Sequence, residues 1–272
     1  YQIMQAMSEA LGAKSEGVWD SKEDHLISEI NRHFWDAQNK HYRYLIDPFG
    51  NCESQELLGN AFAILFGVAD EQKRDQIIAR QPAVPAGLPC LSPNFPRYSQ
   101  KPGHFGRHSG VICPFIEAFW GDALAGTGHS TDFFKLLRSM AEKGCRDGHF
   151  AEIYHPEEGQ IYGGIQVNGD IPDFEWKSCV RQTWSATGYL RLILFSLVGL
   201  RATPDGLYVE PCIPEDLEFV KMRFLPYREA HLDISIVRSR SEAQAIRLDG
   251  VTIKKPMIPT DLSGHHHISI TR

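Results

Sequence analysis

Gly148-His149-Phe150-Ala151-Glu152-Ile153-Tyr154-His155-Pro156-Glu157-Glu158-Gly159 runs through Ile161-Tyr162-Gly163-Gly164 to Gln182-Thr183-Trp184-Ser185-Ala186, which opens a long apolar segment. One carboxylate, Glu152, sits between aromatic residues on an irregular stretch bounded by glycines. The segment that follows is apolar almost all round from Leu190 to Leu200, so an inner, buried helix is expected from about Lys177 to Leu200. Beyond Pro204-Asp205-Gly206 the period changes to two. His231, Asp233 and Ser235 alternate with Leu232, Ile234 and Ile236, and Asp249-Gly250 is a hairpin signal. His265-His266-His267 falls in the last of these strands, where alternate side chains point to opposite faces, so a surface strand is preferred to a metal tract.

Towards the N-terminus the rhythm is helix and turn. Residues 2–12 form the end of a helix closed by Gly12. A cap at Ser21-Lys22-Glu23-Asp24 precedes Leu26, Ile27, Ile30, Phe34 and Trp35, one face of a helix. Asp47-Pro48-Phe49-Gly50-Asn51 is a turn. Leu57 to Phe66 form an apolar helix stopped at Gly67, and Asp70 caps a shorter one through Ile78. Pro82, Pro85, Pro89, Pro93, Pro96 and Pro102 make residues 81–108 a long loop, whose aromatics Phe95, Tyr98 and Phe105 suit a functional one. Helices resume near Gly110 and over Ser130 to about Cys145.

A chain of 272 residues, 42% hydrophobic, is long enough to bury a large core. Its net charge of −6 argues against nucleic acid or an acidic membrane surface as partner. No apolar run is long enough to span a bilayer, and no signal pattern opens the chain. It begins Tyr1-Gln2-Ile3-Met4, which leads us to expect its true N-terminus upstream and leaves the compartment open. The 6 cysteines form no CxxC pair and no zinc spacing, and free thiols are expected. No metal or organic cofactor is implied.

Aromatic platforms, hydrogen-bonding side chains and a carboxylate together suit carbohydrate chemistry. Inverting hydrolysis needs two carboxyl groups roughly 6.5 to 9.5 Å apart, one protonating the leaving oxygen and one activating water. Spacing alone leaves Glu152 open between a water-activating base and a solvated loop glutamate. It likewise leaves Trp184 open between platform and core, and His108 between a sugar ligand and a helix cap.

Glu152-Ile153, the glycine-bounded loop and Gln182-Thr183-Trp184-Ser185 with Leu190-Arg191 together resemble the last part of the six-hairpin (α/α)-barrel inverting glycoside hydrolases. Among these are the family 63 and mannosylglycerate-hydrolase group, the trehalases and the glucosidase domain of glycogen debranching enzymes. His108-Ser109-Gly110-Val111-Ile112-Cys113-Pro114-Phe115 is similar to their Tyr-His-Asn-Gly-x-Val-Trp-Pro segment, departing at Arg107, Ser109 and Cys113. Leu200-Arg201 through Pro214 looks like the start of their closing β module.

The resemblance implies a mainly α fold: part of an (α/α)6 barrel over residues 1–203, then a small antiparallel β module over 204–272. It also implies inverting hydrolysis of an α-glycoside, an α-glucoside or α-mannoside first, with Glu152 as general base. His108, Tyr154, Trp176, Gln182 and Trp184 would bind the sugar of an oligosaccharide or glycoside. The partner acid, usually an aspartate, is expected upstream of Tyr1, on a segment packing with this one, because Asp20, Asp36, Asp47 and Glu53 each have a structural reason to be where they are. The rival enzymes are an α-L-rhamnosidase-like hydrolase and a glycoside phosphorylase. The rhamnosidase pattern Trp-Glu-x-Trp is missing, and a phosphorylase needs no base at Glu152. From another class comes a non-catalytic carbohydrate-binding barrel.

Overall fold

Glu56 caps helix α3 (Leu57–Leu65), its side chain accepting from the backbone N–H groups of Leu58 and Gly59. Four N–H groups at a helix start have no partner within the helix, and a carboxylate there meets both the donors and the dipole. The computed structural model describes residues 1–13, 17–48, 50–95, 98, 103–168, 171–239 and 245–272, so Phe49 in the expected turn and Pro96 and Pro102 in the expected loop lie outside the described residues. The fold is mixed α/β, with a substantial helical region and several antiparallel sheets. The strand content exceeds what a mainly α reading expects. Two compact units make it up: residues 1–112 with 153–178, and residues 113–152 with 179–272.

In the first unit, α1 (Gln2–Ala10) and α2 (Val18–Phe34) precede strands β1 (Trp35–Asp36), β2 (His41–Asp47) and β3 (Gly50–Glu56). Helix α2 starts at Val18 with Gly17 as cap, earlier than the Ser21 cap expected from sequence. Helices α3 and α4 (Glu71–Arg80) follow, the latter capped by Asp70, which accepts from Lys73 N–H at 2.8 Å. Strand β4 (Leu91–Ser92) completes an antiparallel sheet in the order β1-β2-β3-β4. The expected turn near Pro48 therefore joins two paired strands rather than two helices. Strands β5 (Ile165–Asn168) and β6 (Ile171–Glu175) form a separate hairpin. Leu57, Ala61, Ile77, Leu91, Ile112, Ile153 and Tyr154 are buried. Leu26, Ile27, Ile30 and Phe34 on α2 face a cavity of about 570 Å³, also lined by Tyr42, Glu56, Phe62 and Phe66.

In the second unit, α5 (Pro114–Gly126) begins with proline at a position whose N–H needs no partner. Helix α6 (Ser130–Asp147) follows, closed by Gly148 at φ 70°. Helix α7 (Thr183–Arg191) starts later than expected and continues as a π-helical turn, Leu192–Leu197. Gly188 lets α7 lie close on α5, since an added Cβ would stand 2.9 Å from that of Ala118. The segment is not buried all round: Leu190 and Phe195 are 57% and 56% exposed.

The C-terminal strands are β7 (Leu200–Thr203), β8 (Gly206–Val209), β9 (Phe219–Tyr227), β10 (Glu229–Val237), β11 (Ala245–Leu248), β12 (Val251–Thr252), β13 (Met257–Pro259) and β14 (Ser263–Thr271). They make a five-stranded sheet, β12-β11-β14-β10-β9, and a three-stranded one, β13-β8-β7. Leu232, Ile234 and Ile236 of β10 and Ile268 and Ile270 of β14 point into one core with Ile246 and Ile258. The sheet is not antiparallel throughout: β10 and β14 run parallel, with Ile234 opposite Ile268. The excursion through β11 to β13 is long enough for the crossover that parallel pairing requires.

Candidate carbohydrate site

The residues singled out from sequence divide between the two units, each described by itself. In the second unit, residues 150–152 run alongside 179–182. Glu152 N–H donates to the carbonyl of Cys179 at 2.9 Å, and Gln182 N–H donates to that of Phe150 at 2.8 Å. This pairing explains why residues 179–182 are not helical and why α7 begins only at Thr183. The half-buried Glu152 side chain accepts from Cys179 N–H through Oε2 at 3.3 Å. Phe150 packs on Tyr189, ring centroids 5.1 Å apart, over Gly144, where a Cβ would stand 2.8 Å from the ring.

Gln182 occupies the cap position of α7 without capping through its side chain. Trp184 is 64% exposed, with Phe115 edge-on at 5.7 Å, so it is a surface ring rather than core. Arg191, placed by resemblance on the same helix, pairs with Asp122 on α5 and covers the Phe119 ring at 4.4 Å. Asp122 also accepts from Ser196 Oγ at 2.7 Å. Among the described residues, buried Nδ1 of His149 and Oγ of Ser185 have no hydrogen-bond partner. Such orphans are unusual in a folded interior. Sequence reasoning passed over both, although each lies in a motif it quoted.

In the first unit, Ile112 and Tyr154 exchange backbone hydrogen bonds at 3.0 and 2.9 Å, and Tyr162 N–H donates to Ile153 at 3.0 Å. Tyr154 has no exposed surface. His108 is exposed, next to buried Ser109, whose Oγ accepts from Phe95 N–H at 2.7 Å. Trp176 donates through Nε1 to Gln166 Oε1 at 2.8 Å. The Arg107 guanidinium carbon stands over its ring, 4.8 Å from the centroid.

His155, which sequence reasoning did not mark, is buried between Phe105 and Tyr162, each ring edge-on at 5.1 Å. Its Nδ1 accepts from the N–H groups of Glu157 and Glu158 at 3.3 and 3.2 Å. That places the ring proton on Nε2, which donates to Gly103 O at 3.4 Å. The histidine thereby holds the Pro156-Glu157-Glu158-Gly159 turn, which explains its burial structurally.

Of the early acid candidates, Asp36 accepts from Gln38 and Asn39 backbone N–H at 2.9 and 3.0 Å, and Arg43 approaches to 3.5 Å. Those hydrogen bonds, Asn39's first, hold its carboxyl below the usual range, which suits a turn and not a proton donor. Glu56, which is not one of those candidates, is the opposite case: burial beside the α2–α3 cavity pushes its carboxyl up, against the two N–H groups it caps. The side chain of Asp47 is not among those described. Among the described residues, no three His, Cys, Asp or Glu side chains group to hold a metal ion, and no helix is long and apolar enough to cross a membrane. Within β14, His265 faces Asp233 and His267 faces Ser235, while His266 turns the other way to Asp249, as alternation requires.

Residues 2–185 match the family model of the mannosylglycerate hydrolase MGH1-like glycoside hydrolase domain. The 3-O-beta-D-glucopyranosyl-beta-D-glucuronide phosphorylase of Paenibacillus borealis is 24% identical over 268 residues, 90% of this chain and 34% of that protein. The chain thus spans 34% of the length of the curated relative it matches. A structure described as a sialidase superposes over 81% of this chain and 21% of its own, with 17% identity and a TM-score of 0.62. The GH78 family rhamnosidase of Bacillus sp. GL1 covers 98% of this chain and 26% of its own, with 18% identity and a TM-score of 0.55. Both structural likenesses are likenesses of fold.

Proposed function

The chain belongs to the mannosylglycerate hydrolase MGH1-like glycoside hydrolase family, and from that premise we propose that the intact protein cleaves a glycosidic bond of an oligosaccharide with phosphate as nucleophile. The observation that carries this reading is the alignment with a glycoside phosphorylase over 90% of the chain, well past the span of the family match. It displaces α-glycoside hydrolysis, the first expectation from sequence, in favour of one of its alternatives.

In phosphorolysis a phosphate oxygen bonds to the anomeric carbon as the bond to the leaving oxygen breaks. An acid protonates that oxygen, giving a sugar 1-phosphate and a shortened sugar. Phosphate arrives ionised, so no carboxylate has to deprotonate it. Glu152 then accepts hydrogen bonds from sugar hydroxyls, with Cys179 N–H holding its second oxygen. Gln182 and Trp184 supply a polar and an aromatic contact beside it, whereas Tyr154, with no exposed surface, drops out of the sugar set expected from sequence. Within this proposal residues 1–203 are part of a six-hairpin (α/α) barrel and residues 204–272 its β module.

Hydrolysis with Glu152 as water-activating base is the second reading, favoured by the family's own chemistry and by a carboxylate fixed on a backbone donor. Incubating the intact protein with glucosyl disaccharides, with and without inorganic phosphate, separates the two. Turnover that requires phosphate and yields a sugar 1-phosphate supports the proposal. Equal release of free sugar without phosphate removes it.

A further inference from the structure

The alternation that fills the core of the five-stranded sheet ends on two arginines. Leu232, Ile234 and Ile236 of β10 point inward, as do Ile268 and Ile270 of β14, and the period of two carries the same face on to Arg238 and Arg272. The pairing continues past both strand ends: Arg272 N–H donates to Val237 O at 3.0 Å, and Ser239 N–H donates to Arg272 O at 2.8 Å. In a parallel pair that pattern sets Arg272 opposite Arg238. Like charges directly opposite on neighbouring strands are unfavourable.

Both arginines line a cavity of about 360 Å³, together with Ser130, Pro211, Cys212 and Ile213. All of these residues belong to the second unit. Arg238 is fixed by its N–H, which donates to Glu218 O at 2.9 Å, and by Nη1, which donates to Pro214 O at 2.6 Å; the rest of its fork is left over. Burial pushes the Cys212 thiol up while the Arg272 guanidinium pulls it down, so that guanidinium stands near the Cys212 wall of the cavity. The nearby carboxylates do little for either charge. Glu210, which also lines the cavity, meets Arg201 at 3.3 Å, and Glu215, its side chain 91% exposed, comes only within 4.0 Å of Arg238. An ion pair so open to water offsets little. Among the described residues no carboxylate pairs with Arg272.

We propose that this cavity binds a phosphate monoester of compact organic body, its phosphoryl group held between Arg238 and Arg272. Two neighbouring guanidinium groups match a dianion, which a single carboxylate is not. The cavity is in the size range of sites for small organic molecules, and Pro211, Ile213 and Ile236 give the body of the ester an apolar wall. Ser130 brings the start of α6, where no side chain caps the N–H groups, to the same space. None of the residues proposed to meet the sugar lines this cavity, so the inference does not depend on whether phosphate or water is the nucleophile.

The test titrates phenyl phosphate, benzoate and inorganic phosphate at fixed ionic strength into the intact protein and into its R272Q, R272K and E152Q variants. Wild type should bind phenyl phosphate at least about tenfold more tightly than benzoate or inorganic phosphate. R272Q should lose at least about tenfold of that affinity, R272K should lose less, and E152Q should bind as wild type does. Phenyl phosphate should raise the unfolding midpoint of wild type and not that of R272Q. Without ligand, R272Q should unfold no earlier than wild type, because it loses a repulsion. Wild type that binds none of the three probes overturns the proposal. So does benzoate or inorganic phosphate bound as tightly as the ester, since the site then takes no dianionic ester in particular. Binding that persists in R272Q, or that is lost in E152Q, puts the ester elsewhere and also overturns it. A midpoint that falls in ligand-free R272Q while binding is unchanged marks the arginine pair as structural and has the same consequence.

Discussion

Cys179 N–H donates to Oε2 of Glu152 over 3.3 Å, while Glu152 N–H donates back to the carbonyl of Cys179 over 2.9 Å. The residue proposed to meet the sugar is thus held by Cys179 at both backbone and side chain. Its carboxylate is oriented by the chain segment that leads into α7, so the aromatic start of that helix and the acid are set by the same backbone ladder.

Replacing Glu152 by Gln keeps the size of the side chain and its acceptor oxygen but removes the charge. If phosphate is the nucleophile, kcat/KM should fall by about tenfold, the cost of one weakened charged hydrogen bond. A general base contributes about 10²–10⁴-fold, so a loss of that size with sugar binding retained would restore Glu152 as the activator of water.

At Gly163 packing leaves no room for a side chain. An alanine Cβ would lie inside the Trp176 carbonyl, at 1.4 Å, and backbone cannot yield as a side-chain tip can. G163A should lower stability by about 2–3 kcal/mol in a denaturant titration and release Arg107 from its contact with Trp176. G126A, in the last turn of α5 with open space around the added Cβ, is the matched control and should not destabilise.

The pair at the β11–β12 turn gives a pH dependence whose sign is fixed. His266 Nδ1 meets Asp249 Oδ2 at 2.7 Å and Nε2 meets Ser263 O at 2.9 Å, so both ring nitrogens act as donors. Asp249, and then the Ser263 carbonyl, raise the histidine, while His266, and then the N–H of His267, lower the aspartate. The histidine contribution is complete below its unfolded value of about 6.5 and is lost as pH rises through its higher folded value. The aspartate contribution is complete above about 3.9 and is lost as pH falls through its lower folded value. The gap in melting temperature between wild type and H266Q should therefore be widest between about pH 4 and 6.5 and narrow on either side. A gap that does not vary with pH would remove the ion pair from the account.

Where a signal was local, sequence reading located the element. Asp70 before α4, Gly67 after α3, the alternation of β10 and the Asp249-Gly250 turn all act through near neighbours, and each stands where the pattern put it. The β2–β3 hairpin was missed because Tyr44, Leu45 and Ile46 are all exposed, so no alternation marks it. The start of α7 lies later than expected because residues 179–182 are tied to the Phe150–Glu152 strip, a partner distant in sequence. His155 reads as part of an exposed loop tip, and only folding brings Phe105 against it. For the candidate site, the sequence offered the aromatic and carboxylate motifs, but not that Tyr154 would be fully buried. The cation over Trp176 was not legible either, because nothing in the sequence pairs residue 107 with residue 176.

The identity of the nucleophile is the central claim, and isotope tracing tests it directly. The intact protein is given its disaccharide and inorganic phosphate in water enriched in heavy oxygen, and the products are weighed by mass spectrometry. Phosphorolysis predicts a sugar 1-phosphate with no heavy oxygen at the anomeric position, because the new bond is to an oxygen of phosphate. Free sugar carrying one heavy oxygen there, formed at the same rate without phosphate, would contradict it and return the reaction to water.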